Sequence, residues 1–104
     1  MKIYTEIPET SKPEKAWLDG DTLKVDYHKW HKEMFYYVDA HTEIPIKEIH
    51  TLRLQYGPRN GFKGMYLVHG EEFTTWELSK NHKGVITQTY RLLKGKVECK
   101  KEVI

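Results

Sequence analysis

The chain has few of the features that identify a chemical activity from sequence. A single cysteine, Cys99, stands among its 104 residues, so no disulfide can form within the chain. One lone cysteine fits a reducing compartment and argues against a small secreted scaffold held by disulfides. No stretch approaches the roughly 20 apolar residues that span a bilayer, and the first residues lack the apolar run of a signal peptide. We therefore expect a cytoplasmic protein that does not enter a membrane.

Charge of one sign is also scarce. Seventeen Lys and Arg stand against fifteen Asp and Glu, which gives a net charge of +2. Such a balance provides no overall field that would steer nucleic acid to the protein. The end of the chain differs, because residues 80–104 carry seven Lys or Arg against two Glu. Lysines on a sheet edge, which discourage aggregation, explain this basic end. Contact with an acidic partner is the alternative.

Signatures of catalysis and of metal binding are missing as well. There is no G-x-S-x-G and no Walker loop, and Cys99 has no Cys-His signature beside it. His28 and His31 form an H-x-x-H that would share one face only on a helix, and the ligand spacing of known zinc sites is absent. We therefore expect no enzyme activity, no metal and no cofactor.

The sequence does contain a series of short strand patterns separated by turn residues. Between Ile46 and Leu93, β-branched and aromatic residues recur at every second position between clusters of Gly, Pro, Asn and His. Met1–Ile7 alternates in the same way. The pattern predicts one mainly β domain over residues 1–104, with eight or nine strands. These would form a single small antiparallel meander sheet or a barrel.

The best hairpin signal is Asp19-Gly20-Asp21, because Gly20 adopts a positive φ without steric cost. One or two short helical turns are predicted, at His28–Glu33 and at Pro45–Ile49, where proline suits the first turn of a helix. Between them, residues 34–38 are interpreted as a central strand and residues 39–43 as a turn.

The segment Val85–Leu93 allows two interpretations. Its Val, Ile and Thr favour a strand, and the sequence is interpreted so. Ile86, Tyr90 and Leu93 also fit the period of a helix, which stays the alternative.

The segment Ile44-Pro45-Ile46-Lys47-Glu48-Ile49, followed by Leu52-Arg53-Leu54, resembles pleckstrin-homology-like domains of bacterial type. Those domains often show Ile-Pro, a short spacer, an Ile and then an amphipathic strand. The resemblance implies a small β domain. The long closing helix of that family is not evident in this sequence, and no functional residue is carried over.

A binding role fits this composition better than a catalytic one. Seven Tyr and three Trp exceed what a small core needs, so some should be exposed as anchors for a partner. The alternative is a small barrel that keeps its Tyr rings inside and their hydroxyls in water. We predict a non-enzymatic module that binds a protein partner through a sheet edge or through an aromatic and basic face. The residues predicted for that face are Arg53, Arg59, Lys63, Tyr66 and Trp30. Small aromatic-rich chains of this kind also occur as phage- or mobile-element-type accessory proteins that inhibit or adapt a host factor.

Two alternatives stay open. A nucleic-acid-binding β domain would use the same face together with the basic end, with bases stacked on its aromatic rings. A ligand-holding barrel would require an apolar cavity. The sequence gives no oligomeric state.

Overall fold

The computed structural model describes residues 14–104, and the predicted first strand, Met1–Ile7, lies outside them. The first sheet has the strand order β1-β2-β3, with β1 at Lys15–Asp19, β2 at Thr22–His31 and β3 at Tyr36–Pro45. Both of its pairings are antiparallel. Gly20, between β1 and β2, has a φ of 59°, which confirms the predicted hairpin and the reason for glycine there.

A 3-10 turn at Ile46–Glu48 connects this sheet to the second and confirms the helical turn predicted after Pro45. The second sheet has the order β6-β5-β4-β7, with β4 at Ile49–Tyr56, β5 at Phe62–His69, β6 at Thr74–Ser79 and β7 at Glu98–Val103. β7 runs parallel to β4, whereas the other pairings are antiparallel. A 3-10 turn at Pro58–Asn60 joins β4 to β5.

The segment from Lys83 to Leu93 forms the helix α1, so the predicted strand at Val85–Leu93 is wrong and the helical alternative holds. A 3-10 turn at Lys80–His82 leads into it. Val85, Thr89 and Leu93 lie on its buried face at helical spacing. Helix propensity disfavours Val and Thr by only about 0.5 kcal/mol per residue, which burial of that face outweighs. No helix of residues 14–104 combines the length and the apolarity needed to cross a membrane.

One hydrophobic core joins the two sheets and the helix. Leu52 and Leu67 are opposite each other on neighbouring strands of the second sheet and are fully buried. Leu23 of the first sheet and Leu93 of α1 belong to the same cluster. Leu23 and Val25 of β2, and Leu52 and Leu54 of β4, alternate along their strands and all point into this core.

The mainly β class is confirmed, but its arrangement differs from the prediction. The described residues contain two sheets with seven strands instead of one meander, and they do not close into a barrel. α1 precedes the last strand, unlike the closing helix of pleckstrin-homology-like domains.

The segment between residues 28 and 43 also differs from the prediction. The helical turn predicted at His28–Glu33 is wrong, because β2 continues to His31. The turn predicted at residues 39–43 is wrong as well, because β3 runs from Tyr36 to Pro45. The central strand predicted at residues 34–38 is found only in part, since Met34 and Phe35 lie exposed in the connecting turn and β3 is at the edge of the described sheet. Ten residue pairs along β2 and β3 stabilise this extended hairpin.

Candidate functional site

β2 is twice as long as β1, one of its two neighbours in the first sheet. β1 has five residues and β2 has ten, and β1 pairs only with the part of β2 from Thr22 to Asp26. Among the residues that the structure describes, the remainder of β2, Tyr27–His31, has β3 on one edge and no strand on the other. An unpaired strand edge presents N–H and C=O groups that can pair with another chain.

The open edge of β2 presents the backbone groups of His28 and Trp30. The carbonyl oxygen of His28 accepts a hydrogen bond of 2.7 Å from Nε2 of His82. That oxygen therefore points away from β3. Because backbone groups alternate between the two edges of a strand, the N–H and C=O of Trp30 face the open edge as well, whereas those of Lys29 face β3.

A groove of about 1000 Å³ separates this edge from β6, the outermost strand of the second sheet. His28, Trp30 and Lys32 line it from the side of β2, and residues 75–79 line it from the side of β6. The groove is open to solvent instead of enclosed. It therefore suits an elongated occupant better than a small molecule that is buried on all sides.

Aromatic rings form much of the groove surface. Tyr27 packs edge-to-face against Trp76 and His82, with ring centroids 5.9 and 5.7 Å apart. Farther along β2, Trp30 packs edge-to-face on Tyr37 at 5.1 Å. Such pairs contribute about 0.5–1.5 kcal/mol each beyond simple burial. The rings are therefore held in defined orientations before any partner arrives.

The turn between β2 and β3 extends this aromatic surface to an exposed tip. Met34 and Phe35 keep 62% and 45% of their surface accessible, and the ring of Phe35 lies 6.3 Å from that of Trp30. Phe35 has a φ of 54°, in the left-handed region. A bulky residue there costs about 1–2 kcal/mol relative to ordinary backbone conformations. The fold thus keeps an exposed aromatic ring in a conformation that local backbone energy disfavours.

Two buried ring nitrogens lie beside the groove without hydrogen bonds. His28 Nδ1 is 3.2 Å from Oδ1 of Asp39, but the two atoms are not aligned for a hydrogen bond. His82 Nδ1 is also buried without a partner among the described residues. Because His82 Nε2 donates to a carbonyl, Nδ1 of the neutral ring is an acceptor. Buried polar atoms nearly always have partners, so these nitrogens are available to water or to a bound group.

Two of the residues predicted for the binding face, Arg53 and Tyr66, are direct neighbours on β4 and β5. Both donate hydrogen bonds to Oε2 of Glu102 on β7, at 3.0 and 2.9 Å. These bonds, that of Tyr66 first, lower the pKa of Glu102 below its ordinary value. Burial and the same carboxylate raise the pKa of Tyr66. Arg53 is therefore largely occupied by an intramolecular ion pair.

The other three predicted residues lie elsewhere. Arg59 is exposed in the loop between β4 and β5, and Lys63 is exposed at the irregular start of the β5 pairing. The side chain of Lys63 lies beside Gly57, where an added Cβ would come within 2.6 Å of Lys63 Cε. Trp30 belongs to the first sheet and lines the groove, which none of the other four residues does.

The sequence prediction omitted Tyr27, Trp76 and His82, which the fold brings together from three separate elements. No sequence signal marked these residues, because the unequal lengths of β1 and β2 emerge only in the fold. Among residues 14–104, five strand residues precede the turn at Gly20 and ten follow it. Within residues 14–104, no group of three His, Cys, Asp or Glu side chains could hold a metal ion. His28 and His31 lie on a strand, where an odd spacing places them on opposite faces.

Comparison with models of known protein families, with curated proteins and with solved structures finds no match for this chain.

Proposed function

We propose that the protein is a non-enzymatic binding module that takes up an extended segment of a protein partner in the groove between β2 and β6. The observation that carries this proposal is that, among residues 14–104, no strand pairs with the outer edge of Tyr27–His31 on β2, and that this edge faces a groove of about 1000 Å³. An extended peptide would add to this edge as a further strand and gain main-chain hydrogen bonds.

The backbone pattern defines how such a segment would pair. The N–H and C=O of Trp30 would bond one residue of the partner, since they face the open edge. The next residue of the partner would direct its backbone groups away from β2, because pairing alternates along a strand. Main-chain pairing of this kind provides affinity with little dependence on the partner's sequence.

Specificity would come from the aromatic surface. Side chains at every second position of an added strand project to the same face. Trp30, Tyr37 and Trp76 offer rings to those positions, and tryptophan and tyrosine are frequent energetic anchors of interfaces. The exposed tip at Met34 and Phe35 continues the apolar surface past the end of the groove. A module of this kind could inhibit or adapt a host factor without any catalytic group.

The test begins with peptides selected from a random display library against the full chain. One selected peptide is labelled, and its Kd is measured by fluorescence polarisation. It is then remade with a single N-methyl group at each position in turn. Strand addition predicts that binding is lost when the amide that donates to the carbonyl of Trp30 is methylated and persists when either neighbouring amide is methylated. The carbonyl of His28 is already bonded to His82, and neighbouring amides of an added strand point away from β2. Loss at no position, or equally at all of them, would rule out strand addition.

Variants of the protein locate the site. Trp30→Ala should weaken peptide binding about thirtyfold, as expected for an anchor worth about 2 kcal/mol. Trp17→Ala is the matched control, because Trp17 is a half-buried tryptophan of the same sheet that does not line the groove. Phe35→Asn is a second variant that avoids a folding defect, since Asn tolerates a positive φ. It should weaken binding while the protein stays folded.

The nucleic-acid alternative has less support. Arg53 is paired with Glu102 at 3.0 Å and Lys100 with Glu98 at 2.9 Å, so two cations of the predicted face and basic end are neutralised. A nucleic-acid binder would lose affinity steeply as salt rises. Titration with single- and double-stranded oligonucleotides at low salt separates the two functions, because the absence of binding would exclude the nucleic-acid alternative.

A further inference from the structure

A second cleft lies between α1 and the adjoining ends of β4 and β5. Its volume is about 450 Å³, within the range of roughly 300–1,000 Å³ typical of small-molecule sites. None of the residues that line this cleft lines the groove between β2 and β6. The cleft can therefore be tested separately from peptide binding.

One side of the cleft is apolar and aromatic. Tyr56 and Phe62 contribute rings in an edge-to-face pair with centroids 5.6 Å apart. Ile86 and Tyr90 contribute from α1, where a spacing of four residues places them on one face of the helix. Leu54 also lines this side. Rings at fixed angles suit a flat apolar body, which gains both burial and ring contacts there.

The polar groups of the cleft are few and include one charge. Lys83, Asn60 and Thr87 line it, and no carboxylate does. Within residues 14–104, Lys83 has no acidic side chain within ion-pair distance. The hydroxyl of Thr87 donates to the carbonyl of Lys83 at 2.9 Å, so its oxygen still has lone pairs to offer.

The loop that carries Asn60 is held in place by its own backbone. The N–H of Gly57 donates to the carbonyl of Gly61 at 2.7 Å, which closes the loop. Asn60 has a φ of 59° within it. Its amide is thereby presented at the rim of the cleft, on the sheet side, while Lys83 lies on the helix side.

We propose that this cleft binds a small planar anion, an aromatic ring system that carries one carboxylate or sulfonate. The rings of Tyr56, Phe62 and Tyr90 would contact its apolar body, and Lys83 would meet its charge. Asn60 would donate a hydrogen bond to the same acidic group. This inference does not depend on the proposed uptake of a peptide, since it uses a different part of the molecule.

The test compares two probes that share an anilinonaphthalene ring system. The first, 1-anilinonaphthalene-8-sulfonate, is an anion, and the second, N-phenyl-1-naphthylamine, is neutral. Fluorescence titration of the full chain should give tighter binding of the anion. Lys83→Gln should weaken binding of the anion about tenfold, the usual effect of losing a charged hydrogen bond, and leave the neutral probe unaffected.

Lys80→Gln is the matched control, because Lys80 is an exposed cation three residues away that does not line the cleft. It removes the same charge and should leave both affinities unchanged. Chemical-shift mapping with the sulfonate should perturb amides of residues 54–62 and 83–90. Equal affinities for the two probes, equal effects of the two lysine substitutions, or shifts centred on Trp30 and Trp76 would overturn the proposal. None of these results would affect the N-methyl pattern expected for a peptide in the groove.

Discussion

Gly64 on β5 is the position where the smallest substitution should have the largest effect on stability. A Cβ added there would lie 2.5 Å from the carbonyl oxygen of Leu78 and 3.3 Å from Cα of Ser79, both backbone atoms of β6. Carbon–oxygen contacts between strands are normally about 3.3–3.6 Å, so β6 would have to move by roughly 0.8 Å. Backbone atoms cannot relieve such a contact by changing a rotamer.

The cost of Gly64→Ala combines two effects. Overpacking of this kind costs about 1–3 kcal/mol. The φ of +155° at Gly64 is one that side chains rarely adopt, which adds about 1 kcal/mol or more. We therefore expect a loss of about 3 kcal/mol in the free energy of unfolding. For a chain of this size that lowers the Tm by roughly 15 °C.

Urea unfolding followed by tryptophan fluorescence measures this change. Gly84→Ala is the control, because Gly84 lies exposed in α1 with no atom within 4 Å of an added Cβ. Alanine has a higher helix propensity than glycine, so the free energy of unfolding of this variant should rise by about 0.5 kcal/mol. A cost below about 1 kcal/mol for Gly64→Ala, or equal changes in stability for the two variants, would refute the predicted clash between Cβ and the backbone of β6.

Three further predictions concern titratable groups. The carboxylates of Asp26, which accepts a hydrogen bond from Nδ1 of His41 at 2.6 Å, and of Glu43, which accepts one from Nε2, raise the pKa of His41. This contribution to stability is complete below the unfolded pKa of about 6.5 and is lost as pH rises through the higher folded value. NMR titration should give a midpoint above 6.5 that falls in Asp26→Asn. The lowered pKa of Glu102 acts in the opposite direction: its contribution is present above the unfolded pKa and is lost as pH falls through the folded value. Glu102→Gln should therefore flatten the acid side of the stability profile measured by urea unfolding, and an unchanged profile would contradict the role of this carboxylate. Burial raises the pKa of the Cys99 thiol, so iodoacetamide at pH 8 should alkylate the folded chain more slowly than the urea-unfolded chain. Equal rates would contradict that assignment.

Local sequence signals predicted those parts of the fold that depend on a few adjacent residues. The hairpin at Gly20 needs only a positive φ, and the turn after Pro45 needs only a fixed φ and a missing donor. Both are consequences of covalent structure. The inward alternation of Leu23 and Leu52 also follows locally, since every second residue of a strand shares a face.

Other elements depended on partners that are distant in the chain. Val85–Leu93 has the composition of a strand. It forms a helix because one face of that helix is buried in the core that also contains Leu52. His28–Glu33 has no clear local preference, and pairing with β3 extends the strand to His31. Local propensity is worth a few tenths of a kcal/mol per residue, so tertiary burial and pairing decide such segments.

The groove was not predictable from residue types. Within the part of the chain that the structure describes, it exists because β1 begins at Lys15, opposite Asp26, and because the second sheet brings an edge strand close to the rest of β2. The binding face predicted from Arg53 and Tyr66 assumed that these side chains are available. The partner that occupies them, Glu102, lies 49 residues from Arg53 in the chain and could not be inferred from their neighbours.

The parallel pairing of β7 with β4 also determines when the second sheet can be completed. Thr51 and Glu98 are neighbours in that pairing although they are 47 positions apart in the chain. Closing such a long loop costs entropy before its contacts form, which slows folding. During synthesis on a ribosome, β4 could pair with β5 early, yet its other edge would stay without its native neighbour until residues 98–103 had emerged.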